Sequence, residues 1–368
     1  MNRMEKNKIK YASQHKKEFI IELREKVSGY FETNRISEYG NLNLVFKTIF
    51  MITLYLTPYF LMITGVVNSF FAVFMLWIIM GLGKAGVGMA VMHDANHRSY
   101  SKNQLINKWM GNTLYLLGGS PFTWQHQHNT LHHGFTNIDG HDEDIDPGSV
   151  LRFSPHKPLL KMHKYQHIYA WVFYGLMTML WITTKDFRQL FKYKKEGVTL
   201  SNTNSYNQIL ASLIISKIVY YAIFMIIPMI FLPLAWYWII LFFIAMHFTS
   251  GFILTIIFQT AHVVPTSEYP LPDKNGTLEN NWAVHQLYTT SDYSPKNKIF
   301  SWFIGGLNYQ VEHHLFPNIS HVHYRKISVI VKEMAHKYNL PYHVQPGFLR
   351  ALREHARMLK KLGRVYAT

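Results

Sequence analysis

Four long apolar runs dominate the pattern of hydrophobic and polar positions along this chain. They cover residues 44–67, 69–92, 209–232 and 235–260, and few charged residues interrupt them. Each run is long enough to cross a hydrocarbon layer of about 30 Å as a helix. Only a short turn separates the two runs of each pair. The pattern predicts an all-α integral membrane protein whose four spans form two transmembrane helical hairpins.

The hairpins divide the chain into five predicted segments. These are a basic amphipathic amino-terminal segment at 1–43, a first transmembrane hairpin at 44–92, a cytoplasmic region with interfacial helices at 93–208, a second transmembrane hairpin at 209–260, and a cytoplasmic helical cap at 261–368. Two shorter apolar stretches, 105–123 and 168–184, lie between the hairpins. Because each hairpin returns to the side where it began, both stretches must cross or neither does. Glycines break the first and the second is short, so we predict interfacial or re-entrant helices.

The amino-terminal segment is polar and basic, with Lys6, Lys8 and Lys10 among its cations. Isoleucine, phenylalanine and leucine recur between the charges at roughly helical spacing, which predicts an amphipathic helix lying on the membrane surface. No apolar region with a small-residue cleavage site follows the basic start. A signal peptide is therefore not expected. A second amphipathic helix is predicted from about Phe348 to Gly363.

The composition excludes several classes of site. Of the 368 residues, 49% are apolar and only 16% are charged, and this charged fraction is lower than is usual in a soluble domain. The chain contains no cysteine. Disulfides, cysteine-held zinc, iron–sulfur clusters and thiolate-bound haem are thereby excluded. Any metal must bind histidine, carboxylate, amide or water.

Positive charge orients the predicted spans. The formal net charge is +16, and the basic residues flank the apolar runs, as in the loop 185–197 and the tail 325–364. The positive-inside rule places both segments in the cytoplasm, and all histidine-rich motifs share that side. Membrane lipid explains this charge, so no nucleic-acid partner is expected. We predict a multi-pass protein of a bacterial inner membrane.

Three short motifs concentrate histidine beside the apolar runs. They are His93-Asp94-Ala95-Asn96-His97, His128-Asn129-Thr130-Leu131-His132-His133 and Gln310-Val311-Glu312-His313-His314. His262 adds a single histidine at the end of the last run. On an α-helix, residues i and i+4 share a face, so His128 and His132 should face one metal while His133 points towards another. Two metals explain this spacing better than one.

The number of histidines favours a redox metal over zinc. Seven clustered histidines plus His262 exceed the four-ligand shell of structural zinc, which has no redox chemistry. A dinuclear iron site is the better match. A histidine-rich membrane metal transporter or sensor is an alternative of another class. It should carry ionisable groups along the spans, whereas here they gather at the ends.

The motifs together resemble the membrane fatty acid desaturases. The third lies within Asn308-Tyr309-Gln310-Val311-Glu312-His313-His314-Leu315-Phe316-Pro317. The resemblance is to the acyl-lipid, linoleoyl-CoA and front-end branch, in which glutamine replaces the first histidine of the third motif, and it covers residues 45–345. It implies an enzyme that introduces a carbon–carbon double bond into a long acyl chain. The implied reaction consumes O₂ and two electrons at a non-haem di-iron centre.

The resemblance also implies which residues bind the irons. The expected ligands are His93, His97, His128, His132, His133, His262, His313 and His314. Gln310 and His126 are further candidates, either directly or through water. Side chains expected to orient the ligands are Asp94, Asp142, Asp144, Asp146, Glu312 and Asn308. Phe258 stands where stearoyl-CoA-type relatives have an asparagine, which leaves the ligand number at one iron open.

The implied partners are an acyl chain and an electron donor. The acyl chain can be linked to CoA, to a lipid or to a carrier protein. The first 43 residues are too short for a fused cytochrome b5 domain and lack its His-Pro-Gly-Gly signature, and no bound haem or flavin is expected. Ferredoxin or a separate cytochrome b5 system should supply the electrons. The rival function with the same metal site is a membrane hydroxylase or ketolase acting on alkanes, sterols or carotenoids.

Overall fold

Four helices are long and apolar enough to cross a membrane in the computed structural model, which describes residues 9–12, 14, 16–198 and 205–365. Spans one to four are Leu42–Ile63, Phe70–Asn96, Tyr206–Phe231 and Trp236–His262. They match the four predicted runs and confirm the predicted helical membrane fold. The second span differs at its end, because it continues through His93 to Asn96. The first histidine motif therefore lies on the last turn of a span.

Local chemistry explains where the spans begin and how closely they pack. The side chain of Asn41 accepts hydrogen bonds from the backbone of Asn43 and Leu44 and so caps the first span. Ser205 and Gln208 form a capping box at the start of the third. In the second span, a Cβ atom at Gly83 would lie only 2.4 Å from the backbone nitrogen of Tyr55. A glycine there allows the first two spans to approach closely.

The described parts of the spans and of the region between the hairpins contain four π-helical segments. They are Gly88–Met92, His126–His132, Trp181–Lys185 and Ala222–Ile226. The α-helical parts of the interrupted spans are Phe70–Val87, His93–Asn96, Tyr206–Tyr221 and Ile227–Phe231. A π-turn inserts an extra residue and is common at functional sites. Two of these segments adjoin or contain a histidine motif.

The region between the hairpins consists of short helices. They are Gln104–Gly111, Thr113–Leu116, Pro121–Gln125, Gln166–Gly175, Met177–Leu180 and Asp186–Lys195, with 3₁₀ turns at Glu143–Ile145 and Lys161–Tyr165. In the described residues, neither 105–123 nor 168–184 forms a helix of span length, as predicted. The prediction of a loop at 185–197 is wrong, because most of this segment is helical. Its basic residues lie on Asp186–Lys195, whose other face buries Leu190 and Tyr193.

The segment after the fourth span forms a helical cap. Its helices are Trp282–Thr289, Lys298–Phe303, Gln310–Leu315, Tyr324–Lys337 and Phe348–Leu362, with a 3₁₀ turn at His321–His323. The helix Phe348–Leu362 confirms the amphipathic helix predicted from Phe348. Two short parallel strand pairs join distant parts of the chain. Lys10–Tyr11 pairs with Thr277–Leu278, and Asp292–Tyr293 pairs with Val344–Gln345.

The amino-terminal helix Lys17–Asn34 belongs to the cap. Its apolar face, including Phe19 and Leu23, is buried in a core shared with Tyr324–Lys337. The prediction that this helix lies on the membrane surface is therefore wrong. The same helical spacing serves equally well to pack against another protein helix, and sequence periodicity does not distinguish the two partners. Lys6 and Lys8 lie outside the described residues.

A buried ion pair joins the third span to the segment that carries the second histidine motif. The Nζ atom of Lys217 lies 2.6 Å from an oxygen of Asp186 and also donates to the backbone carbonyl of Trp181. The other carboxylate oxygen of Asp186 accepts hydrogen bonds from Thr123 and from the Trp181 indole. Thr123 precedes the second motif by a few residues. The carboxylate therefore fixes the approach to that motif.

We expect Asp186→Ala to destabilise the fold by about 3–5 kcal/mol, because it leaves the Lys217 ammonium buried without its counter-charge. The measurement is equilibrium unfolding in mixed micelles. Asp146→Ala is the matched control, since Asp146 pairs with Lys157 at the surface and its loss should cost no more than about 1 kcal/mol. Equal destabilisation by the two substitutions would contradict a central role for Asp186.

Candidate functional site

The first histidine motif ends the second span, and Gly305 allows the turn before the third motif to approach that span. The imidazole rings of His93 and His97 lie 4.8 Å apart, as expected for positions i and i+4. Gly305 adopts a φ of +65°, and a Cβ atom there would lie 2.4 Å from the carbonyl oxygen of Met89. No other residue fits that approach without displacing backbone. The turn before the third motif thus packs directly on the second span.

The second motif forms a π-helix, which changes the direction of its histidines. The backbone nitrogen of His133 donates to the carbonyl of His128, five residues earlier, at 3.0 Å. The Nε2 atoms of these two histidines lie 3.3 Å apart. The prediction that His133 points away from His128 is therefore wrong. It assumed α-helical geometry, whereas in a π-helix residue i+5 returns to the face of residue i.

The third motif completes the site from the cap. His313 and His314 are fully buried on the short helix Gln310–Leu315. The Nε2 atom of His313 lies 3.0 Å from that of His133. The ring of His314 stacks on that of His133 at a centroid distance of 4.3 Å. Histidines from the second span, the region between the hairpins and the cap thus converge.

The histidines form two groups that could each hold a metal ion. One nitrogen from each of His93, His97, His128 and His313 lies within 4.8 Å of the others, and we call this cluster A. Cluster B consists of His132, His262 and His314, which meet the same criterion. His128 and His132 fall into different clusters, although both also group with Asp144. His133 contacts members of both clusters. All eight histidines expected as ligands therefore meet at one place.

Four of the eight imidazoles contact a neighbouring polar group through their Nδ1 atoms. The Nδ1 atom of His132 lies 3.1 Å from a carboxylate oxygen of Asp142. The corresponding contacts of His262, His314 and His313 are with the Thr289 carbonyl at 3.3 Å, the Gln286 amide oxygen at 2.9 Å and the Tyr324 hydroxyl at 3.1 Å. Such contacts fix both tautomer and ring orientation. In this arrangement Nε2 is the free ligand atom.

Several of those Nε2 atoms have no hydrogen-bond partner within the described residues. They belong to His97, His132, His262 and His314. Both side-chain amide atoms of the fully buried Gln310 are likewise without a partner there. Buried polar atoms are almost always paired, because an unpaired one costs free energy. Convergent, unpaired imidazole nitrogens fit metal coordination, and an all-imidazole donor set suits iron, copper or zinc.

Burial keeps most of the cluster histidines neutral. It lowers the pKa well below the ordinary histidine value for His97, His128, His133, His313 and His314, and repulsion between neighbouring imidazoles adds to the effect. The neutral form is the one that binds metal. His132 differs, since burial lowers its pKa but the carboxylates of Asp142 and Asp144 raise it overall. Negative charge next to cluster B favours a bound cation.

Among the described residues, four of the predicted orienting side chains make their hydrogen bonds with groups other than the eight histidines. Each instead bonds another group: Asp94 accepts from Ser320 and His321, Asp146 from Lys157, and Glu312 from Tyr342, while Asn308 donates to Ser294. Asp142 and Asp144 both lie beside His132, and Asp144 also groups with His128. His126 packs against Tyr193 at 4.3 Å, outside both clusters.

The residues that orient the ligands from the cap give little signal in the sequence. Gln286 and Thr289 lie on the helix Trp282–Thr289, far along the chain from any histidine motif. Tyr324 begins the next helix after the third motif. Each is a common polar side chain that belongs to no recognisable motif. Only the tertiary structure shows that they contact His314, His262 and His313.

Comparison with known proteins identifies the family. The chain matches the family described as fatty acid desaturase over residues 69–346. It is 34% identical over 374 residues to the acyl-lipid (8-3)-desaturase of Physcomitrium patens, and the alignment covers 98% of this chain and 75% of that protein. It is also 33% identical over 346 residues to the sn-1 linoleoyl-lipid 6-desaturase of Arthrospira platensis, covering 94% and 92%. The chain belongs to the fatty acid desaturase family. This desaturase is an oxidoreductase that acts on fatty acyl lipids.

An apolar cleft of about 120 Å³ opens beside both clusters of the desaturase. Its walls come from the second and fourth spans and from the region between the hairpins, and include Gly88, Met92, Met177, Trp181, Leu254 and Phe258. His128, His132 and His262 also line it. Phe258 thus contributes an apolar ring to the wall of the cleft. The neighbouring Gln259 donates from its amide to the Asp144 carbonyl at 3.2 Å.

Proposed function

We propose that this desaturase introduces a double bond into a long acyl chain of a membrane lipid at a di-iron centre. The reaction removes one hydrogen from each of two adjacent methylenes and combines O₂, two electrons and two protons with them to form two waters. The observation that carries the proposal is the convergence of eight buried histidines, several with unpaired Nε2 atoms, beside an apolar cleft. The named relatives act on acyl and linoleoyl lipids, which supports a lipid-linked substrate.

The two clusters provide the ligands in this proposal. Cluster A would hold one iron and cluster B the other, with His133 between them and Gln310 available beside His262. When bound, the irons supply the redox chemistry that activates O₂ and removes hydrogen from an unactivated carbon. Zinc offers no such chemistry, although the same imidazoles can bind it.

The chain itself positions the ligands and the substrate. Asp142 orients His132, and the acceptors Thr289, Gln286 and Tyr324 orient cap and span histidines in the same way. The apolar cleft would take a methylene chain and exclude water from the reacting carbons. Because His128, His132 and His262 line the cleft, a chain within it lies next to both clusters.

The proposed orientation puts the site on the cytoplasmic side. Basic residues on Asp186–Lys195 and on the last helix Phe348–Leu362 lie on the same side of the spans as the clusters, which the positive-inside rule assigns to the cytoplasm. An external ferredoxin or cytochrome b5 system would then deliver electrons there. The bacterial inner membrane stays a prediction from sequence.

The deciding experiment is expression of the full chain in a host that lacks polyunsaturated fatty acids. Gas chromatography and mass spectrometry of the lipids should show a new double bond, and His314→Ala should abolish it. Analysis of intact lipids separately from the acyl-CoA pool tests whether the substrate is lipid-linked. Hydroxylated acyl products in place of olefins would reject desaturation and favour the hydroxylase function.

We expect Asp142→Asn to weaken iron binding at cluster B by about ten- to hundredfold, because the substitution removes the charge that orients and polarises His132. Competition with a chromogenic chelator measures the affinity. Asp146→Asn removes an equivalent charge from a carboxylate that contacts only Lys157 in its hydrogen bonds and should retain iron normally. Equal iron retention by both variants would remove Asp142 from the proposed site.

Gly88→Leu should reduce product formation at least about tenfold while iron content stays normal. A Cβ atom at Gly88 would lie 3.4 Å from a Leu254 methyl group, which is ordinary contact, so Gly88→Ala is the tolerated control. The larger leucine would fill much of the cleft and obstruct an acyl chain. The test is the ratio of desaturated product to bound iron in each variant. Full activity of Gly88→Leu would show that the substrate lies elsewhere.

A further inference from the structure

A polar cavity of about 380 Å³ lies next to the end of the second span and shares no lining residue with the apolar cleft. Asn96, Arg98, Asn107, Lys108 and Gln125 line it. Its volume falls within the range of small-molecule sites. Nothing in the proposed desaturation uses this cavity.

The amide walls of the cavity are already held by internal hydrogen bonds. The Asn107 side chain donates to the Ser101 carbonyl at 2.7 Å and accepts from the Ser101 backbone nitrogen at 2.9 Å. The Asn96 amide oxygen accepts from the Gln125 amide at 2.7 Å. These bonds make the walls rigid and leave few free groups. The cavity is therefore preorganised.

Two cations remain available in it. Among the described residues, neither Arg98 nor Lys108 has a side-chain hydrogen bond or an ion pair with a carboxylate. A guanidinium and an ammonium that face the same polar cavity favour an anion, and an arginine can bind two phosphate oxygens at once. Among anions, a phosphate group offers the oxygens that such a pair of cations can bind.

The surroundings of the cavity are those expected at a membrane interface. Helix Gln104–Gly111, which carries Lys108, exposes 66% of Leu105 and 72% of Trp109. Near its start, the Tyr100 hydroxyl lies 2.8 Å from that of Thr48, in the second turn of the first span. An exposed tryptophan beside a span terminus is typical of the headgroup region, where lipid phosphates lie.

We propose that this cavity binds the phosphate of an anionic membrane phospholipid, with Arg98 and Lys108 as its cationic ligands. The lipid lies with its acyl chains along the exposed apolar face of Gln104–Gly111. Basic pockets beside spans recognise anionic headgroups in this way. The site goes beyond the proposed desaturation and does not depend on the metal, so it can be tested on protein with or without iron.

The experiment uses the full chain purified in neutral detergent. Dioleoyl phosphatidylglycerol, dioleoyl phosphatidylcholine or inorganic phosphate is added, and thermal unfolding and native mass spectrometry report binding. We expect phosphatidylglycerol to raise the Tm and remain bound, and phosphatidylcholine to do so much less. In Arg98→Gln/Lys108→Gln the apparent affinity for phosphatidylglycerol should fall roughly tenfold or more, since each interfacial cation contributes to binding.

The matched control is Lys102→Gln/Arg325→Gln, which removes the same charges from exposed positions that do not line the cavity. It should bind phosphatidylglycerol as the unmodified protein does. Lys108→Gln alone changes one exposed helix residue and gives the answer if the double variant fails to fold. Unchanged affinity in the cavity variants, equal binding of phosphatidylcholine, or an equal Tm rise with inorganic phosphate alone would each overturn the lipid site.

Discussion

If the proposed di-iron site is correct, alanine at either His97 or His132 is expected to remove one iron and to lower desaturation by more than about hundredfold. The two histidines belong to different clusters, so each substitution should empty a different site. Loss of an outer partner of a metal ligand already costs about ten- to hundredfold, and loss of the ligand itself should exceed that. Iron per chain is measured by mass spectrometry of the metal and activity by the yield of olefinic acyl chains.

His126→Ala is the matched control for these variants. His126 lies on the same π-helix as His132 but packs against Tyr193 and belongs to neither cluster. It should keep both irons and most of the activity. Loss of both irons in each single variant would instead indicate one shared centre. Full activity of His132→Ala would reject cluster B as part of the site.

Removal of metal by a chelator should abolish desaturation, and ferrous iron should restore it while zinc should not. Both metals can occupy imidazole sites, but only iron can exchange electrons with O₂. Because a metal that binds only the folded chain raises its stability, either metal should also raise the Tm. The activity measurement therefore separates chemistry from folding.

Two outcomes of the metal exchange would count against the proposal. Activity with zinc would exclude a redox mechanism at this site. A Tm that neither iron nor zinc changes would show that the clusters do not bind the metal. His132→Ala protein serves as the control, since its Tm should respond less to either metal than that of the unmodified chain.

Hydropathy predicted the membrane architecture because a span must be long and apolar wherever it occurs. The four runs and the hairpins follow from that requirement alone. The histidine motifs could also be recognised from the sequence. Burying eight imidazoles in one membrane protein costs free energy of folding unless they bind a common ligand. The family follows from those motifs and their order.

The geometry within the second motif was not predictable from spacing. Whether His128 faces His132 or His133 depends on one extra residue per turn, and the sequence carries no clear mark of that choice. The acceptors Gln286 and Thr289 were missed for another reason. They come from a distant helix, and their contacts depend on how the cap packs. The position of the amino-terminal helix was predicted incorrectly, because the sequence of an amphipathic face does not show whether that face packs on a membrane or on another helix.

The convergence of the three motifs has a consequence for the order of synthesis. His133 and His313 are separated by 180 positions yet lie in direct contact. During translation the first two motifs are made long before the third, so neither cluster is complete until the cap has been synthesised. A metal held by these clusters would therefore bind late in synthesis, and it would link the cap to segments made much earlier.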